Sequence, residues 1–137
     1  MKFQEFTLEK LDKIPKIERS DVRLLWHSGY WDSPTSGMLE HRGQKHWFET
    51  FYDDPDIATY PRWQIVLRLS DEQLAEEERW HLLFREKVGT HTDYDETGRP
   101  TVGELHHETM LDEFYIPYRQ RIPRDLSDAE IIAWFEA

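Results

Sequence analysis

Cysteine is absent from this chain, which excludes a disulfide framework, a thiolate metal site and a cysteine nucleophile. No stretch approaches the roughly 18 apolar residues that a membrane span requires. The opening run Met1-Lys2-Phe3-Gln4-Glu5-Phe6 also lacks the apolar core of a secretion signal. Together these absences predict a soluble, cytoplasmic protein with no membrane partner. The six glycines are scattered and form neither a G-x-G-x-x-G nor a P-loop pattern, so nucleotide cofactors held by such loops are not expected.

Positive charge is also in short supply. Seventeen Lys and Arg face 28 Asp and Glu, for a formal net charge of -11. Such a surface repels phosphate backbones, and the tightest basic cluster, Arg119, Arg121 and Arg124, is flanked by acids. Direct nucleic-acid binding is therefore disfavoured, whereas an acidic face suits a basic protein partner.

What the chain does have is rings. Aromatic residues reach 14% although hydrophobic residues overall make up only 38%. Each ring buries a large area, so a few positions supply a core beneath a charged surface. No internal repeat or low-complexity linker divides the 137 residues, which predicts a single domain.

Leu8, Leu11 and Ile14 share one face of a short helical stretch that Pro15 stops. Val22, Leu24 and Trp26 alternate with Arg23, Leu25 and His27 as a half-buried strand would. Residues 28–37 are rich in breakers and read as a loop. Segments 38–42 and 45–52 read as a hairpin turning at Arg42-Gly43-Gln44-Lys45. Residues 53–56 read as a turn, and 62–69 as the clearest strand.

Ser70 and Gln73 form a capping-box pattern, with Leu69 and Leu74 as a hydrophobic staple, predicting a helix from Asp71 to about Val88. Gly89 would end it in a left-handed cap. Ser127 and Glu130, with Leu126 and Ile131 around them, repeat that pattern and predict a second helix over 128–136. Segment 104–120 is partly helical in pattern, with Pro117 as an interruption. The expected fold is α+β: a curved antiparallel sheet of about four strands, or a small barrel, in residues 20–70, followed by helices on one face.

Two groups of residues could carry function. The first is a set of metal-ligand types: His91, Asp93, Asp95, Glu96, Glu104, His106, His107 and Glu108. Two imidazoles with a carboxylate suit a divalent transition metal. His106 and His107 are adjacent and diverge on any regular backbone, so one of them would join His91 and Asp93, holding a metal or supporting metal-assisted hydrolysis. The same stretch resembles an EF-hand loop in the spacing of Asp93, Asp95, Thr97, Gly98 and Glu104. Thr97 and Pro100 depart from that pattern, and an ordinary turn over 95–100 is the preferred reading.

The second group is the loop 27–37. His27, Asp32 and several serines supply the residue types of an acyl-transfer triad, but no nucleophile-elbow pattern accompanies them. Tyr30 and Trp31 place two large rings there, either plugging the sheet or marking a binding surface. With no convincing catalytic motif, the leading expectation is a non-enzymatic protein-interaction module, of the kind that serves as a bacterial or phage regulator or inhibitor. Its partner would meet Tyr30, Trp31, Asp32, Glu76 and Glu77. A small-ligand pocket lined by Trp26, Trp47 and Trp63 is a third reading.

Overall fold

A computed structural model describes residues 1–30, 33–52, 62–105 and 111–137. Five strands form one sheet: β1 (Arg23–Tyr30), β2 (Pro34–His41), β3 (Gln44–Phe51), β4 (Trp63–Arg68) and β5 (Glu130–Glu136). Among the described residues two helices, α1 (Asp71–Lys87) and α2 (Leu111–Gln120), lie between β4 and β5 in sequence. The strands follow the order β1-β2-β3-β4-β5, every pair antiparallel. The sheet is therefore an open meander and not a barrel, because its edge strands β1 and β5 do not pair.

The β2–β3 hairpin turns on two residues, with His41 opposite Gln44. Arg42 and Gly43 both take positive φ, 51° and 77°, the conformation that matches the right-handed twist of flanking strands. The expected loop 28–37 is instead largely strand, since β1 runs to Tyr30 and β2 starts at Pro34. Gly37 allows this: a Cβ there would strike the Trp26 carbonyl and His27 Cα on β1.

Facing residues divide the core into two clusters. Met38, Trp47, Ile65 and Leu67 lie on one side with Leu74 of α1 and with Phe6 and Leu11 from the amino-terminal segment. Leu39, Phe48, Val66, Ala133 and Phe135 fill the other side with Ile17, Val22 and Tyr94. A third cluster, Trp80, Val88 and Phe114 with Phe84, Tyr115 and Tyr118, joins α1 to α2. Amino-terminal residues 3–5, 8–13 and 19–21 form 3-10 turns, so the amphipathic stretch 7–14 is helical but too short for an α-helix.

The carboxyl-terminal segment departs from the sequence expectation: residues 130–136 are a strand, not a helix. β4, whose Ile65, Val66 and Leu67 are at most 1% exposed, pairs with β3 on one edge and takes β5 as its partner on the other. Ser127 caps no helix; its backbone N–H and hydroxyl both donate to Asp125 Oδ1 in a local turn. At α1 the capping box forms as expected, with Ser70 Oγ accepting from Gln73 N–H at 3.1 Å and Gln73 Oε1 accepting from Ser70 N–H at 3.0 Å. Gly89 does not adopt positive φ; glycine is needed there because a Cβ would collide with the Glu104 carbonyl. Pro117 sits inside α2 and does not break it. Among the described residues no helix is long and apolar enough to cross a membrane.

Candidate functional site

On α1, Glu77, Trp80, His81 and Phe84 follow i, i+3, i+4, i+7 spacing and so share one face. That face looks across a cavity of about 620 Å³ toward the second half of β1, from Trp26 to Tyr30. Phe114, Tyr115 and Tyr118 of α2 and Arg124 close a further side. The last wall is the segment 89–101, which a small set of backbone contacts pins to β1. His27 N–H donates to the Thr92 carbonyl at 3.0 Å, and Tyr94 N–H donates to the Leu25 carbonyl at 3.1 Å. Trp26 and Asp93 are bridged between these two bonds, at an irregularity in the register of β1 against β2. The bulge and its bridge bring Asp93 against α1.

Polar groups on this wall are organised around His81. Its ring stacks on the Trp26 indole, with centroids 4.0 Å apart and planes within 4°. Its Nε2 lies 2.8 Å from Asp93 Oδ1, and Arg85 Nε lies 3.0 Å from Oδ2 of the same carboxylate. The His81–Asp93 approach is short but poorly aligned, leaving Oδ1 without a straight hydrogen bond. Burial, assisted by the positive charge of Arg85 and by His27, brings the His81 pKa down to about 4. A carboxylate 2.8 Å away acts in the opposite sense, but burial also raises the Asp93 pKa, against the pull of Arg85 and His91. Burial therefore disfavours both charged forms, and we assign a neutral imidazole.

His27 behaves alike. His27 Nδ1 meets the Tyr94 hydroxyl at 3.1 Å, and burial with the nearby His91 lowers its pKa. Burial and the neighbouring Tyr30 push the Tyr94 hydroxyl up to about 12. At the opposite end Arg124 holds Glu77 in a fork, Nε–Oε1 at 2.6 Å and Nη2–Oε2 at 2.8 Å. Its guanidinium lies 4.2 Å from the Trp47 ring centroid. Burial lowers the Arg124 pKa, but the Glu77 carboxylate outweighs that and raises it overall. Between these polar ends the walls are rings: Phe114 meets Phe84 and Trp80 edge-on and stacks on Tyr118. Arg79 and Arg121 cover Trp80 and Tyr118, at 4.5 Å and 3.6 Å from the ring centroids. A second hollow of about 500 Å³, between Leu82 and Val102, shares Trp26, His81, Asp93 and Tyr94 with the first.

Several residues singled out from sequence meet here. Tyr30, Glu77, His91 and Asp93 all line the larger cavity. Glu76 points elsewhere, accepting from Arg79 and from the Trp80 indole N–H, each at 2.8 Å. Trp31, Asp32, His106 and His107 lie outside the described residues. Among the described residues no group of three or more His, Asp or Glu is gathered as a metal-binding set. The calcium-like spacing is an ordinary turn: Asp95 Oδ1 accepts from the Thr97 and Arg99 N–H groups and from the Thr97 hydroxyl, and Gly98 takes φ 80°. In the 27–37 segment, Ser28 Oγ meets Arg124 and His27 meets Tyr94, so the triad types engage other partners. Of the three tryptophans of the pocket reading, Trp26 lines the cavity, Trp47 lies buried beneath Arg124, and Trp63 pairs with Phe51 and Glu136 in the sheet.

Sequence reasoning missed His81 and Tyr94, and it names His27 only as a triad type and Arg124 only within a basic cluster. The available signal was Glu77, Trp80, His81 and Phe84 on one helical face, where a charge and an imidazole interrupt an otherwise aromatic stripe. Compared with protein-family models, with curated proteins and with solved structures, the chain matches none.

Proposed function

We propose that this protein binds a small, flat, uncharged aromatic molecule in the cavity between β1, α1 and α2. The carrying observation is an aromatic-walled space of about 620 Å³ whose charges are matched within the chain. Ligand pockets commonly fall between about 300 and 1,000 Å³, with apolar walls and a few convergent polar groups. Glu77 is neutralised by Arg124 and Asp93 by Arg85. The imidazole at the centre is neutral at ordinary pH. An ionic ligand would find no uncompensated counter-charge among these groups and would lose its hydration. The arginines over Tyr118 and Trp80 already occupy a cation-binding face of those rings.

Isothermal titration calorimetry with 2-methoxynaphthalene and with naphthalene-2-sulfonate tests this reading. The neutral probe should bind and the sulfonate should bind much more weakly, and Phe114→Ala should reduce binding of the neutral probe. Equal binding of both probes, or binding indifferent to Phe114, would refute it.

A second reading, the protein-interaction module, draws support from the net charge of -11 and from Tyr30, which lines the cavity yet is 60% exposed. A pull-down from lysate at low salt, with Tyr30→Ala and wild-type protein as bait, tests it. Recovery of the same proteins by both baits would remove Tyr30 from any interface.

A further inference from the structure

Within the cavity, the two polar ends differ in what they leave over for a ligand. At one end the Arg124–Glu77 fork uses both carboxylate oxygens on one guanidinium. At the other, Arg85 holds one oxygen of Asp93, and the second oxygen lies against His81 Nε2. Although not aligned as a straight hydrogen bond, a carboxylate oxygen 2.8 Å away repels a lone pair on Nε2; with the ring proton placed there, the remote nitrogen, Nδ1, carries a lone pair and acts as an acceptor. The Trp26 stack holds the ring plane, and Arg85 in turn holds the carboxylate. Arg85, Asp93 and His81 thus form a relay that fixes one tautomer on the cavity wall.

We infer that the ligand carries a hydrogen-bond donor, a phenolic O–H or an azole N–H, and delivers it to His81. The inference rests on the aromatic-ligand reading above and adds the chemical class: planar phenols or azoles in preference to their methylated counterparts. His81 is the binding residue. Asp93 and Arg85 are positioning residues that act through its tautomer. A site built to accept a proton donor discriminates against the analogue that lacks one, because the bound ligand then shuts water away from the acceptor and leaves it unpaired.

The experiment compares 2-naphthol with 2-methoxynaphthalene by calorimetry on the wild-type protein and on two variants. The wild type should favour 2-naphthol by about five- to tenfold, the value of one neutral hydrogen bond. His81→Phe keeps a ring to stack on Trp26 and removes the acceptor; it should bring the ratio to about one while 2-methoxynaphthalene still binds. Asp93→Asn offers an amide N–H to Nε2, which moves the ring proton to Nδ1 and turns the acceptor into a donor. It too should bring the ratio to about one, and it decides the matter if His81→Phe does not fold. A wild-type ratio near one, or a preference that survives in the folded variants, overturns the inference and leaves the aromatic-ligand reading standing. Binding of neither naphthalene overturns both.

Discussion

Replacing Arg124 by methionine removes a cation that acts on two largely buried carboxylates, Glu77 and Glu49. The side chains of Arg124 and Glu77 are 19% and 14% exposed, so little water can take over when the pair is broken. Glu49 faces the same guanidinium: burial raises its pKa, while the indole N–H of Trp47 and the charge of Arg124 hold it down. Removing one partner of a buried pair costs about 3–5 kcal/mol, and the residual exposure favours the lower end. Loss of the guanidinium over Trp47 adds up to about 1 kcal/mol, while methionine keeps most of the methylene packing. For a domain of this size the expected fall in Tm is roughly 10–15 °C.

The pH dependence supplies the sharper check on that substitution. A carboxyl whose pKa is higher folded than unfolded binds its proton more tightly in the folded state. Stability therefore rises as pH falls through the folded pKa and levels off below the unfolded one. Without Arg124 the Glu49 pKa climbs further, so the gap between Arg124→Met and wild type should narrow between pH 7 and pH 5. Urea and thermal unfolding followed by circular dichroism at both pH values measure it. A loss below about 1 kcal/mol, the size of an exposed pair, or a gap of constant width, would refute the reasoning.

Three further outcomes follow from local geometry. His81, at a pKa of about 4, binds fewer protons folded than unfolded. Its stabilising effect is complete above its unfolded pKa and is lost as pH falls toward 4, so wild type should lose up to about 3 kcal/mol relative to His81→Phe across that window; parallel pH profiles would contradict this. Gly37→Ala should destabilise by more than about 2 kcal/mol in urea titrations because backbone of β1 blocks the Cβ, whereas Gly43→Ala meets open space and costs about 1 kcal/mol for its positive φ alone. The reverse order would show that the β1–β2 pairing gives way easily. Ser70→Ala should cost about 1 kcal/mol with the loss of the Gln73 N–H acceptor, and an unchanged midpoint in denaturant would count against the capping box.

Helix α1 and the β2–β3 hairpin were legible in the sequence because their signals are local: a cap three residues from its partner, and a glycine that tolerates positive φ. Segment 130–136 was not. Ile131, Ile132, Trp134 and Phe135 are apolar in a spacing that suits either a helix or a strand, and the decision lies in β4, more than 60 residues away. The apparent helix signal before it, at Ser127, has another cause, an aspartate turn. The cavity was half legible. Asp93, His91 and Glu77 stood out as charged or ligating types, but the sequence pointed them toward metal or partner surfaces. Their real neighbours, His81 and Arg124, are brought in by the β1 bulge and by the packing of α1, neither of which leaves a local mark.

Trp26, His81, Asp93 and Tyr94 line both hollows. A guest that tilts the shared imidazole in one hollow alters the shape offered in the other. Any effect that one guest has on the affinity of a second is returned in equal measure.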